Sequence, residues 1–194
     1  PRKLDFSVRS LGTMKLDDYV SGREETAKQM QPLEQKYKKK LPVSFGPLTD
    51  KIVEQLKVLN QAVCKFAYND KFYSDVLEAC EYTQLAYYST DILVGAISCR
   101  MEKGEEGKKG KLFIMASAVL PPYRSCGVGT GLVQRVVERA GEDGEFSEVC
   151  VLVPTSDTKG VTFWEQQGFA TTETIKNYYS DIDPPDSHLM SKKI

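Results

Sequence analysis

Arg124, Gly127, Gly129 and Gly131 open a stretch in which Val128, Leu132, Val136 and Ala140 recur every four residues. That period is one face of a helix. A helix N-terminus carries unpaired backbone N–H groups and about half a positive charge, and glycines there let a phosphate come close to the backbone. The chemistry implied is the grip of a diphosphate, with Arg124 adding positive charge; a tight turn required only by the fold is the competing explanation. Two familiar phosphate patterns are excluded by residue identity. A G-x-x-x-x-G-K-[ST] loop needs a Lys, and none follows these glycines. A G-x-G-x-x-G fingerprint would need glycine where Leu132 stands, together with repeated βαβ units that the chain lacks.

Other reactive side chains are sparse. Cys64, Cys80, Cys99, Cys126 and Cys150 are scattered and form no C-x-x-C pair, and His188 is the one histidine. No metal site is expected from such a set. The thiols read as reduced and mostly buried, in a cytoplasmic or nuclear protein. His188 sits in Asp186-Ser187-His188, far along the chain from the glycines, and reads as structural. With 41% hydrophobic and 27% charged residues and a net charge of −1, nothing global points to nucleic acid or a membrane. No apolar run is long enough to cross a bilayer. The chain starts at Pro1 without a Met, as a trimmed piece would, and its first residues lack a secretory pattern.

These residues must be positioned by regular elements. Residues 1–46 form an N-terminal extension, expected to be partly ordered at most and carrying the run Lys36, Lys38, Lys39 and Lys40. A solvated charge cluster is the plainer interpretation of that run, and an acidic surface such as RNA the functional one. Residues 47–194 form the domain. Thr49 or Asp50 can cap a helix whose Ile52, Leu56, Leu59 and Val63 share a face, and Asn69 or Asp70 can cap a shorter one. Strands are predicted over 83–88, 92–100 and 111–120, the last stopped by Pro121 and Pro122. The glycine-rich helix follows, ended by Gly141 and Gly144. A near-continuous apolar strand over 148–153, a helix over 155–167, and strands over 169–178 and 187–192 complete a mixed α/β class.

Arg124-Ser125-Cys126-Gly127-Val128-Gly129 matches the R/Q-x-x-G-x-G/A signature of GNAT acetyltransferases. Together with Tyr68-Asn69-Asp70-Lys71-Phe72-Tyr73, Leu85-Ala86-Tyr87, Leu112-Phe113-Ile114-Met115, Gly168-Phe169 and Asn177-Tyr178-Tyr179, it resembles the NatE-type N-alpha-acetyltransferases over about 145 residues. The resemblance implies the GNAT fold, a mixed central β-sheet flanked by helices, with acetyl-CoA as the acetyl donor. Arg124, Ser125, Cys126, Gly127, Val128, Gly129 and Thr130 would hold the diphosphate. The strand carrying Ser117 and Val119 would pair with the pantetheine arm, and Asp157 and Trp164 would also touch the cofactor. Tyr68, Met115, Tyr178 and Tyr179 would meet the substrate, a protein N-terminus with Met first and an apolar residue second. GNAT chemistry passes through no acyl-cysteine, so Cys126 is incidental. Implied partners are nascent or peptide N-termini and a larger acetyltransferase complex at the ribosome, in the cytoplasm.

The chain departs from that family at positions that matter. Phe113 stands where active members carry Tyr, Leu152 where they carry His, Trp164 where they carry Tyr and Asp157 where they carry Asn. Cys64-Lys65-Phe66-Ala67 replaces the Phe-Pro-Val-Ser that shapes the first-residue pocket. Phe113 and Leu152 have no titratable group, and a general base is typically worth ~10²- to 10⁴-fold in rate. The catalytic residues are therefore unassigned, with Tyr179, Tyr123 and Ser117 as candidate proton relays. Two functions stand side by side: a slow N-terminal acetyltransferase, and a weak or inactive module that binds acetyl-CoA within a larger complex.

Overall fold

The computed structural model describes residues 41–64, 68–104, 108–179 and 182–194. The Lys36–Lys40 run and Lys65-Phe66-Ala67 lie outside them. The described chain forms one seven-stranded sheet in the order β1-β2-β3-β4-β5-β7-β6. Its strands are β1 (Val43–Pro47), β2 (Gln84–Tyr88), β3 (Ile92–Glu102), β4 (Gly110–Val119), β5 (Phe146–Pro154), β6 (Ala170–Ile175) and β7 (Ser187–Lys193). All neighbouring pairs are antiparallel except β4 with β5. The helices are α1 (Val53–Val63), α2 (Asp70–Glu78), α3 (Val128–Asp143) and α4 (Thr158–Gln166).

Strand β1 takes in residues that the sequence reading assigned to the extension. It is a short edge strand of Val-Ser-Phe-Gly-Pro with no clean alternation, so only its pairing with β2 reveals it. Asn69 caps α2 by accepting a hydrogen bond from the Phe72 amide at 3.0 Å, as its residue type predicts. Helix α3 runs through Gly141 and stops at Gly144, whose φ of +67° is the left-handed C-cap. Helix α4 starts at Thr158, later than expected, because Asp157 accepts from the Gly160 amide at 3.0 Å and sets the cap. Strand β6 ends at Ile175, short of the expected 178, because the chain turns at Asn177 (φ +53°).

Each face of the sheet has its own core. One holds Leu112, Ile114, Leu132, Val136, Val149 and Val151 under α3 and α4, and the other holds Leu56, Phe72, Val76, Leu85, Ala116 and Ala118 under α1 and α2. The stripe on α3 is buried as its period requires, with Leu132, Val136 and Ala140 fully enclosed. Truncating Leu132 to Ala would cost about 2–5 kcal/mol.

Candidate active site

One irregularity in β4 creates the site. Ser98 of β3 faces Ala116 and Cys99 faces Ile114, so Met115 has no partner and forms a β-bulge. A bulge adds one residue and shifts the alternation of side chains. Leu112 and Ile114 face the α3 side before it, whereas Ala116 and Ala118 face the α1–α2 side after it. Pairing of β4 with β5 runs from Gly110 opposite Phe146 to Ile114 opposite Val151 and goes no further. Beyond that point the two strands part. The end that stays closed is pinned by an ion pair between facing residues, Lys111 Nζ and Glu148 Oε1, at 2.8 Å.

The parting leaves a cleft of about 690 Å³. Ser117, Asp157 and Trp164, expected at the cofactor, line it, and so do Tyr68, Met115, Tyr178 and Tyr179, expected at the substrate. Phe113 and Leu152 line it as well. The bulge sorts these groups. Ile114, Val151, Val153 and Trp164 belong to the core on the α3–α4 face, while Tyr68, Phe72 and Met115 belong to the α1–α2 face. The cleft therefore has two unlike halves meeting at the β4 bulge.

Val119, Arg124, Ser125, Cys126, Gly127, Val128, Gly129 and Thr130 do not line this cavity; they continue from the end of β4. A 3-10 turn at Pro121–Tyr123 follows the strand. Arg124 then donates from Nε to the Val119 carbonyl at 2.9 Å and ties the turn to the strand end. Ser125 at φ +58° and Gly127 at φ +83° bend the chain into α3. The first helical bond runs from the Gly131 amide to the Gly127 carbonyl at 2.9 Å, so the amides of Val128, Gly129 and Thr130 precede the ladder. The space beside Gly127 is open: a Cβ there would meet nothing within 4 Å. Residues 124–127 are exposed, while the Val128 side chain is buried in the core, so Val128 can offer only its amide.

Gly131 has a different duty. A Cβ on it would lie 2.7 Å from Phe45 Cζ of β1, and the Arg135 guanidinium carbon stands 4.8 Å from the centroid of the same ring. Strand β1 is thus seated on the first turn of α3 through a glycine whose purpose the sequence had merged with the phosphate cradle.

On the other half, Tyr68 stacks on Phe72 with centroids 4.0 Å apart. Tyr178 and Tyr179 meet edge to face at 4.9 Å. Asp186 positions that pair: its carboxylate accepts from Lys176 Nζ at 2.6 Å and from the Asn177 amide at 3.1 Å, and the Tyr179 amide donates to the Pro185 carbonyl at 2.8 Å. These donors hold the Asp186 carboxyl below its ordinary range, the Lys176 bond most. Burial pushes the Tyr68 and Tyr179 phenols up, and Cys64 raises Tyr68 further. Both phenols therefore stay protonated near neutrality.

His188 lies on β7 opposite Val153, with Nδ1 3.0 Å from Thr174 Oγ1, and is not among the residues lining the cleft. Arg100 and Asp186 were not singled out from the sequence. Arg100 lies inside a regular strand, and the role of Asp186 depends on a turn that no short pattern encodes.

An acetyl-CoA site fits this geometry. The open surface at Gly127, the first-turn amides of α3 and the edge that β4 frees beyond Ile114 match a diphosphate followed by a strand-like amide arm. The acetyltransferase (GNAT) family profile matches residues 53–169, and the chain belongs to that family. It is 40% identical over 152 residues to N-alpha-acetyltransferase 50 of Danio rerio, covering 78% of this chain and 89% of that one. It is 38% identical over 152 residues to the probable N-acetyltransferase san of Drosophila melanogaster, covering 78% and 81%. Among solved structures it matches Arabidopsis thaliana Naa50 in complex with a bisubstrate analogue, CoA-Ac-MVNAL, at 40% identity and a TM-score of 0.73, covering 79% of this chain and all of that one.

Proposed function

We propose that this chain is an acetyl-CoA-dependent N-alpha-acetyltransferase acting on protein N-termini that begin with Met and an apolar residue. The observation that carries the proposal is the cleft opened by the Met115 bulge, with an unpaired β4 edge on one half and an aromatic wall on the other. Support also comes from the similarity to N-alpha-acetyltransferase 50.

Bound acetyl-CoA supplies an acyl group activated as a thioester. The amides of Ser125 to Thr130 hold its diphosphate, and the β4 backbone at Ser117 and Val119 orients its arm, with Asp157 and Trp164 beside it. Tyr68, Met115, Tyr178 and Tyr179 receive the peptide. Phe113 and Leu152 offer no base, and their apolar walls disfavour the charged ammonium. An α-amine has a pKa near 8, so roughly a tenth is neutral at physiological pH. Positioning alone can contribute ~7–11 kcal/mol to such a reaction. The result is a slow enzyme that binds the already neutral amine, working in the cytoplasm on nascent or released N-termini.

Phe113 and Leu152 also motivate a second reading, an acetyl-CoA-binding module that serves inside a larger acetyltransferase complex at the ribosome. One assay separates the two. A peptide beginning Met-Leu is mixed with acetyl-CoA and release of CoA is followed. Turnover above the uncatalysed rate is expected; thermal stabilisation by CoA without turnover would favour the module.

A further inference from the structure

The acetyl transfer described above leaves one charged group in the cleft without a task. Arg100 and Asp157 are the charged residues among those lining it. Asp157 caps α4 through its bond to the Gly160 amide. Arg100 lies on β3 directly opposite Phe113, with its guanidinium carbon 5.7 Å from the centre of that ring. Its Nε is buried and has no hydrogen-bond partner among the described residues. None of the ion pairs found there, which use Lys57, Lys71, Lys111, Arg139 and Lys176, involves it.

A guanidinium presents five donors in a fixed fork suited to a carboxylate. Only the Nε of Arg100 is buried without a partner, a costly arrangement unless something arrives to pair with it, and the half-buried residue lines the cleft from which such a partner would come. The cofactor diphosphate is not that partner, because its cradle follows the far end of β4 and Arg124 already stands there. Ile97 and Cys99 belong to the core on the α3 side. Alternation along β3 therefore turns Arg100 to the opposite face, the half with Tyr68 and Met115. An anion reaching Arg100 must come with the acceptor peptide.

We propose that Arg100 forms a carboxylate-binding subsite in the acceptor half of the cleft, so that preferred protein N-termini carry Asp or Glu at the third or fourth residue. This rests on the acetyltransferase reading and narrows its substrate class. The same cation also acts against wrong partners, since a Lys at that place would meet a like charge in a partly desolvated site.

The test compares Glu with the isosteric Gln, and with Lys, at positions three and four of peptides beginning Met-Leu. Turnover is followed as kcat/KM, and affinity is measured by calorimetry on protein saturated with CoA. At one of the two positions Glu should be favoured over Gln by about tenfold or more, a size typical of charge-assisted hydrogen bonds, and Lys should be disfavoured. Arg100→Met keeps the contact with Phe113 but removes the charge, and should abolish the preference; Arg100→Lys should retain part of it. Equal kcat/KM and affinity for Glu and Gln at both positions would overturn the subsite, as would a Glu preference unchanged in Arg100→Met. Should Arg100→Met fail to fold, the wild-type comparison and Arg100→Lys still decide. Absence of turnover with every peptide, alongside Glu-selective binding, would keep the subsite and overturn the acetyltransferase reading instead.

Discussion

An amine in a site without a base must lose its proton before it arrives, and that makes the pH profile diagnostic. Phe113 and Leu152 cannot titrate, and burial holds the Tyr68 and Tyr179 phenols above their ordinary value, so neither ionises in a neutral assay. With no base at these positions, the titration expected to govern the rate is that of the substrate α-amine, near pH 8. We expect kcat/KM for a Met-Leu peptide to rise about tenfold per pH unit below that value and to flatten above it. A plateau already reached near pH 6.5 would instead reveal an enzymic base. Restoring the family's residues tests the same point. The double change Phe113→Tyr and Leu152→His should raise kcat by about tenfold or more, within the range a general base supplies. No gain would mean that the peptide is held differently. These departures were legible in the sequence once the family was recognised. The unpaired Arg100 was not, because an Arg within a strand is ordinary until its neighbours are known.

At the scale of elements, two of the three glycines divide into separate functions. Gly127 holds φ +83° and faces open space, whereas Gly131 makes room for Phe45. Gly127→Ala should add roughly 1–2 kcal/mol of left-handed strain at the proposed diphosphate cradle; where the unliganded turn relaxes that strain, CoA must restore it, so binding should weaken by up to about 5- to 30-fold in calorimetry. Gly131→Ala should instead push Phe45 off α3 and lower Tm, and Phe45→Leu in the same chain should recover part of the loss. The helix start was legible from the period of its apolar residues. The seat for Phe45 was not, because β1 carries no alternating pattern and its contact joins residues far apart in the sequence. The Met115 bulge was hidden for a related reason: nothing in Leu112-Phe113-Ile114-Met115-Ala116 marks which residue will lose its partner, since the register with β3 decides it.

For the molecule as a whole, function depends on a sheet that is zipped at one end of β4 and β5 and open at the other. The Lys111–Glu148 pair holds the zipped end, and the Lys111 bond keeps the Glu148 carboxyl below its ordinary value. A depressed carboxyl stabilises the fold above its unfolded pKa, near 4.3, and that contribution fades as pH falls through the lower folded value. Glu148→Gln should therefore cost less than about 1 kcal/mol at pH 7, as partly exposed pairs do, with the difference from wild type vanishing in acid, as urea denaturation would measure. The class of fold followed from the order of helical and alternating segments. The two-sided cleft followed only from knowing where pairing between β4 and β5 stops.

The most direct measurement is a crystal structure with an analogue joining CoA to the α-amine of a Met-Leu peptide. Its diphosphate should lie against the amides of Ser125 to Thr130 and its amide arm along β4 past Ser117, with the peptide between Tyr68 and the Tyr178–Tyr179 pair. A diphosphate bound away from that turn, or a peptide emerging on the α3 face, would contradict the division of the cleft from which the proposed chemistry follows.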